Sequence, residues 1–212
     1  MIFNILKRLL GPIATEIIHW RYRYFGRPYR ALESTKAQER RLKEDFFNRF
    51  CNGKGLDIGY GGDLLVPNCK GWDIEHGDAQ YLSSLNDESF DFVYSSHTLE
   101  HMVDPEAALH NWWRVVKPGG YLILYIPHRD LYEKKMTLPS RWNLDHKHFF
   151  LLDRDEPPDT KGILPLVEKS LSDYEVVVAR DCSDGHTIID PELHSNGEYS
   201  IEIVIKKTCR NI

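Results

Sequence analysis

The stretch "GLDIGYGGD", residues Gly55–Asp63, decides the fold because a short apolar strand runs directly into a glycine-rich turn. Such a junction is typical of a parallel strand that opens into a ligand-binding turn in a doubly wound sheet. A dinucleotide-binding turn has a third glycine three positions after the second, and this chain has Leu64 there. The turn therefore predicts a small polar ligand over Gly59 and Gly61, with an ordinary tight turn as the alternative interpretation.

Composition restricts both the architecture and the partners. A chain of 212 residues, 42% of them hydrophobic, is long enough for one well-buried α/β domain, so we expect residues 1–212 to form a single domain. The net charge of −5 provides no general basic surface, and we expect no nucleic-acid partner. The four cysteines are widely spaced without a C-x-x-C pair. That spacing indicates neither a zinc site nor a disulfide framework, and it favours a cytoplasmic protein.

Hydrophobic periodicity predicts alternating helices and strands. Residues 31–50 are rich in helix formers and lead into a first strand at residues 55–58. The segment "KGWDIEHGDAQYL" is strand-like and supplies a second strand that Asp73 ends. Another buried strand, residues 90–96, is followed by a helix that Asp104 caps and "KPGG" ends. The strand "YLILYIP", residues 121–127, comes next. This order predicts a parallel sheet with right-handed crossovers.

The remainder of the chain divides into a long insert and a regular C-terminal part. Residues 128–160 have no clear period, and so long a segment in a compact domain is usually functional or disordered. Its histidines and tyrosines favour a functional insert. Further on, "ILPLVEKSLS" predicts a helix, and "YEVVVAR" and "YSIEIVIKK" predict an antiparallel pair of strands at the edge of the sheet.

Three blocks of sequence carry a resemblance to a known family: "LDIGYGG", then "GDAQYL" before "ESFDFVYSSHTLEH", and last "ALHNWWRVVKPGGYLILYIP". In their order and spacing they resemble a class I S-adenosylmethionine-dependent methyltransferase of the small bacterial type-11-like group, over residues 53–127. The resemblance implies an α/β fold, a three-layer Rossmann-like sandwich with a mostly parallel sheet and an antiparallel edge hairpin. It also implies an N-terminal helical arm (1–50), a cofactor-binding core (53–127), a substrate-side insert (128–160) and a C-terminal helix and strands (161–212).

The same resemblance assigns residues to S-adenosylmethionine. It implies that Gly59 and Gly61 let the backbone approach the methionine end of the cofactor, with Asp57 near its ammonium. Asp73, at the end of the second strand, is expected to accept from the ribose hydroxyls, and Asp78 from the adenine amino group. The complete predicted cofactor-binding set is Asp57, Gly59, Tyr60, Gly61, Asp73, Ile74, Asp78, Ala79, Gln80, Ser95 and His97.

The spacing of the two ligand-binding acids departs from the family. The family places a helix and a strand between the ribose acid and the adenine acid, yet Asp73 and Asp78 are only five positions apart. One crossover is therefore expected to be shortened or missing. Solvated turn acids are the alternative interpretation of both residues.

The segment "SSHTLEH" places His97 and His101 four residues apart with Glu100 beside them, a spacing that suggests a metal site. In the zinc-protease motif, however, glutamate directly follows the first histidine, and here the spacing fixes no third ligand. We therefore predict no metal. His97 is expected to line the ligand pocket beyond the carboxyl end of its strand, with a capping or packing histidine as the alternative.

The insert contains the candidates for acid–base chemistry. An alcohol acceptor loses a proton when it is methylated, so a histidine within hydrogen-bond reach is a plausible general base. His146, with Asp145 adjacent in sequence, is the first candidate, followed by His128 and His97. A solvated loop is the alternative interpretation of "DHKH".

The resemblance implies methyl transfer from S-adenosylmethionine to a small polar acceptor, and a hydroxyl of a sugar or sugar-containing metabolite is favoured. The alternatives are a cofactor-binding or partner-binding module without turnover, and a nucleotide-binding oxidoreductase, which the missing third glycine disfavours. Residues 1–30 carry six Lys or Arg and one Glu among many apolar residues. This arm suggests a weak membrane-surface contact, a cover over the acceptor site or a dimer contact, which leaves the oligomeric state open.

Overall fold

The computed structural model describes residues 33–209, so the predicted contacts of residues 1–30 lie outside the described residues. The expected single helix over residues 31–50 is instead three short helices, α1 (Glu33–Lys36), α2 (Gln38–Lys43) and α3 (Phe46–Phe50). Asp45 lies in the left-handed region, with φ of 54°, immediately before α3. That residue turns the chain, so helical composition alone predicted too long an element.

A six-stranded sheet forms the centre of the described chain. Its order is β2-β1-β3-β4-β8-β7. The strands are β1 (Gly55–Ile58), β2 (Cys69–Trp72), β3 (Phe90–Ser96), β4 (Val116–Pro127), β7 (Tyr174–Cys182) and β8 (Ser200–Lys207). The first four pair in parallel, whereas β8 is antiparallel to both β4 and β7. The predicted mostly parallel sheet with an antiparallel edge pair is confirmed.

Alternation along the strands divides the core into two layers. In β3, Val93 packs into one cluster and Tyr94 into the other, because successive side chains of a strand point to opposite faces. Helices α4 (Pro105–Val115) and α5 (Ile163–Ser170) cover the first face, and Phe46 and Phe50 of α3 pack on the second. The arrangement is the expected three-layer sandwich.

Helix α4 forms where the sequence predicted it. Asp104 Oδ1 accepts a hydrogen bond from the Ala107 backbone N–H at 3.0 Å, and Pro105 occupies the first turn, where its missing N–H costs no helical bond. Trp112, on the apolar side of the helix, is fully buried against the sheet.

A buried ion-pair network fastens the N-terminal helices to β8. The side chains of Arg41 and Glu202 are both fully buried, and Arg41 Nε donates to Glu202 Oε1 at 2.7 Å. Arg40 and Arg180 donate to the same carboxylate. Burial opposes ionisation of Glu202, but these guanidinium groups prevail and lower its pKa to about 2. The network holds α2 against the second face of the sheet.

The crossovers on either side of β2 are short. Residues 59–68 between β1 and β2 contain no helix, and residues 73–89 before β3 contain a single 3₁₀ turn, Ile74–His76, and no strand. The sheet therefore ends at β2. The expectation that one crossover is shortened or missing is confirmed.

The insert is compact and has little regular structure. It begins with a π-helical turn, Arg129–Glu133, and continues to the short parallel strands β5 (Phe149–Leu151) and β6 (Thr160–Gly162). No helix of the described chain is long and apolar enough to cross a membrane.

Candidate active site

The glycine turn lies at the carboxyl end of β1. Gly59 and Gly61 both have positive φ, 74° and 58°, a conformation that glycine adopts without strain. A Cβ at Gly59 would lie 2.0 Å from Thr98 Oγ1, whereas a Cβ at Gly61 would have no atom of the described residues within 4 Å. Gly59 thus permits close packing against the chain after β3. Gly61 leaves open space over the turn, where a ligand can approach the backbone.

Asp57 is buried under this turn. Its Oδ2 accepts a hydrogen bond from the Leu65 backbone N–H at 2.7 Å. Desolvation raises the pKa of Asp57 to about 7, although the Leu65 hydrogen bond acts in the opposite direction. A desolvated carboxyl of this kind is stabilised as the anion by a nearby cation, and the predicted ammonium contact is chemically suited to it.

Asp73 lies on the other side of the turn, directly after β2. Its Oδ2 accepts from the Gly61 backbone N–H at 3.2 Å, and its Oδ1 accepts from Ile74 N at 2.8 Å. Ile74 is 90% exposed, and the Tyr60 ring packs over Gly71 nearby. The turn therefore presents a carboxylate beside an exposed apolar side chain, an arrangement that suits a ribose diol and the flat ring attached to it.

The residues predicted to contact adenine are engaged within the protein. Asp78 is exposed, and its Oδ1 accepts from Gln80 N at 2.8 Å. Gln80 is buried, and its Oε1 accepts from Asp104 N at 2.9 Å. The Ala79 carbonyl accepts from Trp112 Nε1 at 2.8 Å. These bonds hold the loop against the start of α4, and adenine contacts here stay a prediction.

The end of β3 is bonded to the end of β1. Ser95 Oγ and Thr98 Oγ1 both donate to the Ile58 carbonyl, at 3.3 and 3.2 Å. Between them, His97 has φ of 48°, a left-handed conformation that is uncommon outside glycine and frequent at functional sites. Its Nε2 lies 2.8 Å from Ser200 Oγ, and desolvation lowers the pKa of His97 to about 4.

A cluster of histidines and carboxylates follows directly after His97. Glu100 is fully buried, and its Oε1 lies 3.8 Å from His101 Nε2 and 3.7 Å from His146 Nε2. Burial raises the pKa of Glu100 to about 7, which the nearby His146 partly opposes. His146 comes from the insert, and its Nδ1 lies 2.7 Å from Glu133 Oε1. His97 Nδ1 lies 4.0 Å from the same Glu100 oxygen, so the structure places both candidate histidines around Glu100, and their role as bases stays a prediction.

Aromatic rings and one more carboxylate complete this region. The Tyr132 ring lies against His97 and His146, at centroid distances of 6.1 and 5.7 Å. Tyr199 donates to Glu33 Oε1 at 2.6 Å. Glu33 reaches the region from α1, so this helix contributes a carboxylate to the same cluster.

His128 does not join the cluster. Its Nδ1 accepts from Asp130 N at 3.1 Å, which caps the π-helical turn, and its Nε2 lies 3.6 Å from Asp181 of β7. The structure therefore gives His128 a capping role in the fold. Sequence reasoning missed Glu133 and Glu33, because no local pattern relates either residue to His97 or His146.

The match to known proteins agrees with this arrangement of turn, acids and strands. A family model described as a methyltransferase domain matches residues 56–124, the span from β1 into β4 that carries the glycine turn, Asp73 and His97. Residues 56–124 are therefore a methyltransferase domain of the class I S-adenosylmethionine-dependent type. Its cofactor is S-adenosylmethionine, and the open space over Gly61 with the Asp73 carboxylate beside it fits that molecule.

Solved structures share the fold of this methyltransferase. One is a SAM-dependent methyltransferase from Archaeoglobus fulgidus, with 17% identity and a TM-score of 0.51, covering 90% of this chain and 99% of that one. Another is a putative methyltransferase from Bacillus halodurans, with 16% identity and a TM-score of 0.50, covering 74% and 93%. A third, solved for the conversion of a disulfide bond into a thioacetal group during echinomycin biosynthesis, has 15% identity, a TM-score of 0.55 and 93% coverage of both chains. No curated protein matches the chain.

Proposed function

We propose that this methyltransferase transfers the methyl group of S-adenosylmethionine to a hydroxyl of a small polar acceptor, with a sugar or sugar-containing metabolite as the favoured class. The observation that carries the proposal is the cluster of polar and aromatic side chains after β3, which begins beside the glycine turn. Thr98, which a side chain at Gly59 would strike, is adjacent to His97 and two residues before Glu100. An acceptor hydroxyl bound beside His97 would therefore be near the cofactor turn.

The groups around the pocket suit an acceptor with several hydroxyls. One carboxylate, two phenols and one imidazole are in contact with one another here. They belong to Glu33, Tyr132, Tyr199 and His97. Such a mixture can donate to and accept from hydroxyls, and the tyrosine rings offer apolar faces for the carbon skeleton.

The reaction is an in-line displacement. The acceptor oxygen forms a bond to the methyl carbon, the bond between that carbon and the sulfonium sulfur breaks, and S-adenosylhomocysteine leaves. The hydroxyl proton passes to a nearby base, and His97 and His146 are the two predicted bases that lie in this pocket. Holding the two reactants in line contributes most of the rate, as in other reactions that depend on alignment.

The test uses S-adenosylmethionine with a trideuterated methyl group and panels of sugars, sugar nucleotides, amines and thiols. We expect transfer of the labelled methyl group to a hydroxyl, seen by mass spectrometry of the acceptor, and slower transfer by His97→Asn. The control is His110→Asn, because His110 is exposed on α4. Transfer to amines or thiols alone contradicts the proposed acceptor, and equal rates in wild type and His97→Asn contradict the proposed pocket.

A further inference from the structure

The cluster after β3 has the composition of a metal centre. We propose that Glu100, His101 and His146 bind one divalent transition-metal ion, with Zn²⁺ as the first choice. The proposal goes beyond the proposed function, because it holds whichever acceptor is methylated. It also revises the expectation of no metal, since the third ligand comes from the insert and no spacing in the sequence identifies it.

The ligand atoms have nearly the separation that a metal ion needs. One ligand atom from each of the three residues lies within 4.8 Å of the others. The Nε2 atoms of His101 and His146 are 3.8 and 3.7 Å from Glu100 Oε1, too far apart for hydrogen bonds. Ligands of a tetrahedral Zn²⁺, each about 2.0–2.1 Å from the ion, lie roughly 3.3 Å from one another. A small inward shift of the two rings reaches that value.

Each imidazole is oriented by a carboxylate behind it. His101 Nδ1 lies 2.9 Å from Asp145 Oδ2, and His146 Nδ1 lies 2.7 Å from Glu133 Oε1. A carboxylate at Nδ1 accepts the ring proton there and leaves the Nε2 lone pair facing Glu100. Metal-binding histidines are held in this way by an outer carboxylate.

The second carboxylate is itself fixed. Ser140 Oγ donates to Glu133 at 2.8 Å, and the Arg141 backbone N–H donates to Glu133 Oε2 at 3.3 Å. Both Glu133 and Ser140 are buried. His146 is therefore held in one orientation by a buried network within an otherwise irregular insert.

The environment of the Glu100 carboxylate is an independent indication that this cluster binds a ligand. Its side chain is 0% exposed, and neither carboxylate oxygen has a hydrogen-bond partner among the described residues. Leaving a buried carboxylate unpaired is costly, because it loses its hydration without gaining a donor. Two imidazole lone pairs facing the same carboxylate add to that cost. A bound cation satisfies all three groups together, whereas a proton on Glu100 satisfies one oxygen.

The backbone assembles the site. The Lys147 backbone N–H donates to the Glu100 carbonyl at 2.8 Å, which joins the end of the insert to the turn after β3. This bond places His146 opposite Glu100. The three ligands thus come from two segments that the fold fixes to each other.

Three protein ligands leave a coordination position open, as in catalytic rather than structural zinc sites. In this part the inference rests on the proposed function: the open position would take the acceptor oxygen and lower the pKa of its hydroxyl. His146 is then a ligand, and His97 remains as the proton acceptor.

The test measures metal directly on the purified full chain, without any methyl-transfer assay. The protein is stripped with a chelator, reloaded with Zn²⁺, and analysed for bound metal by mass spectrometry, while Co²⁺ serves as a spectroscopic probe. We expect one equivalent of Zn²⁺ and visible Co²⁺ absorption bands. We expect both to be lost in His146→Asn and His101→Asn, and Glu133→Gln to weaken binding by roughly 10–100-fold. His110→Asn is the control and should bind metal as the wild type does, because the His110 side chain is exposed on the outer side of α4.

Circular dichroism confirms that each variant is folded, and Zn²⁺ should raise the melting temperature of the wild type but not of His146→Asn. A folded wild-type chain that takes up only traces of Zn²⁺ and gives no Co²⁺ bands overturns the proposal and leaves a proton-sharing cluster. Equal metal binding by wild type, His101→Asn and His146→Asn overturns it as well, because the metal then lies elsewhere. Metal binding without transfer to hydroxyls leaves the site intact and contradicts the proposed function alone.

Discussion

Replacing Gly61 by alanine separates the cofactor role of the glycine turn from its structural role. Gly61 has φ of 58°, so alanine in this conformation costs roughly 1–2 kcal/mol of stability. Among residues 33–209, no atom outside its two chain neighbours lies within 4 Å of the position its Cβ would take, so packing against them adds nothing to this cost. The new methyl group instead enters the open space where we place the methionine end of S-adenosylmethionine. We expect the affinity for the cofactor to fall at least tenfold, or about 1.4 kcal/mol.

Gly119 provides a matched control for this variant. It has φ of 81° and also has no atom of the described residues within 4 Å of its Cβ position, but it lies near the amino end of β4, at the opposite edge of the parallel strands from the cofactor turn. Gly119→Ala should therefore lose similar stability and keep its cofactor affinity. Gly59→Val is less informative, because its Cβ strikes Thr98 and disturbs the packing itself.

The assay is isothermal titration with S-adenosylmethionine, together with thermal melts of both variants. The two variants should have equal melting temperatures and a large difference in affinity for S-adenosylmethionine. Wild-type affinity in Gly61→Ala, or an equal loss of affinity in Gly119→Ala, refutes the placement of the cofactor over this turn.

Three further predictions concern charged groups. Asp73→Ala should weaken S-adenosylmethionine binding by about 1–3 kcal/mol in the same titration, and the loss should exceed that of Asp78→Ala; a larger effect at Asp78 would move the ribose site. Glu202→Gln should lower the free energy of unfolding, measured by urea denaturation, by about 3–5 kcal/mol, because it leaves the buried Arg41 charge uncompensated. A loss under about 1 kcal/mol would contradict the stabilising role of the ion-pair network. Because the pKa of Glu202 is depressed to about 2 from its ordinary 4.5, its contribution is present above pH 4.5 and is lost as the pH falls towards 2. Urea unfolding between pH 6 and 3 should therefore show a smaller decline in Glu202→Gln than in wild type, and parallel declines would contradict the assignment.

The elements that the sequence predicted correctly are those with a strong local signal. Asp104 and Pro105 mark the start of α4 by their own chemistry, and β3 and β8 are apolar runs of strand length. The break between α2 and α3 escaped prediction, because Asp45 adopts a left-handed conformation in a run of helix formers. Hydrophobic periodicity carries no information about one residue in a left-handed conformation.

Only the part of the candidate site that has a local sequence signal was predicted. Gly59, Gly61 and Asp73 stand next to strand ends, so the sequence alone places them at one edge of the sheet. The pairing of His146 with Glu100 depends instead on a backbone bond between the insert and the turn after β3. Glu133 is identified only once that tertiary contact is known, because no spacing links it to the motif around Glu100.

The most direct measurement of the central claim is calorimetric titration of the purified chain with S-adenosylmethionine, S-adenosylhomocysteine and NAD⁺. A methyltransferase with its cofactor over the Gly59–Gly61 turn should bind the first two with one site per chain and should not bind NAD⁺, for which the turn lacks the third glycine. Absence of S-adenosylmethionine binding by a folded chain, or tighter binding of NAD⁺, would contradict the account.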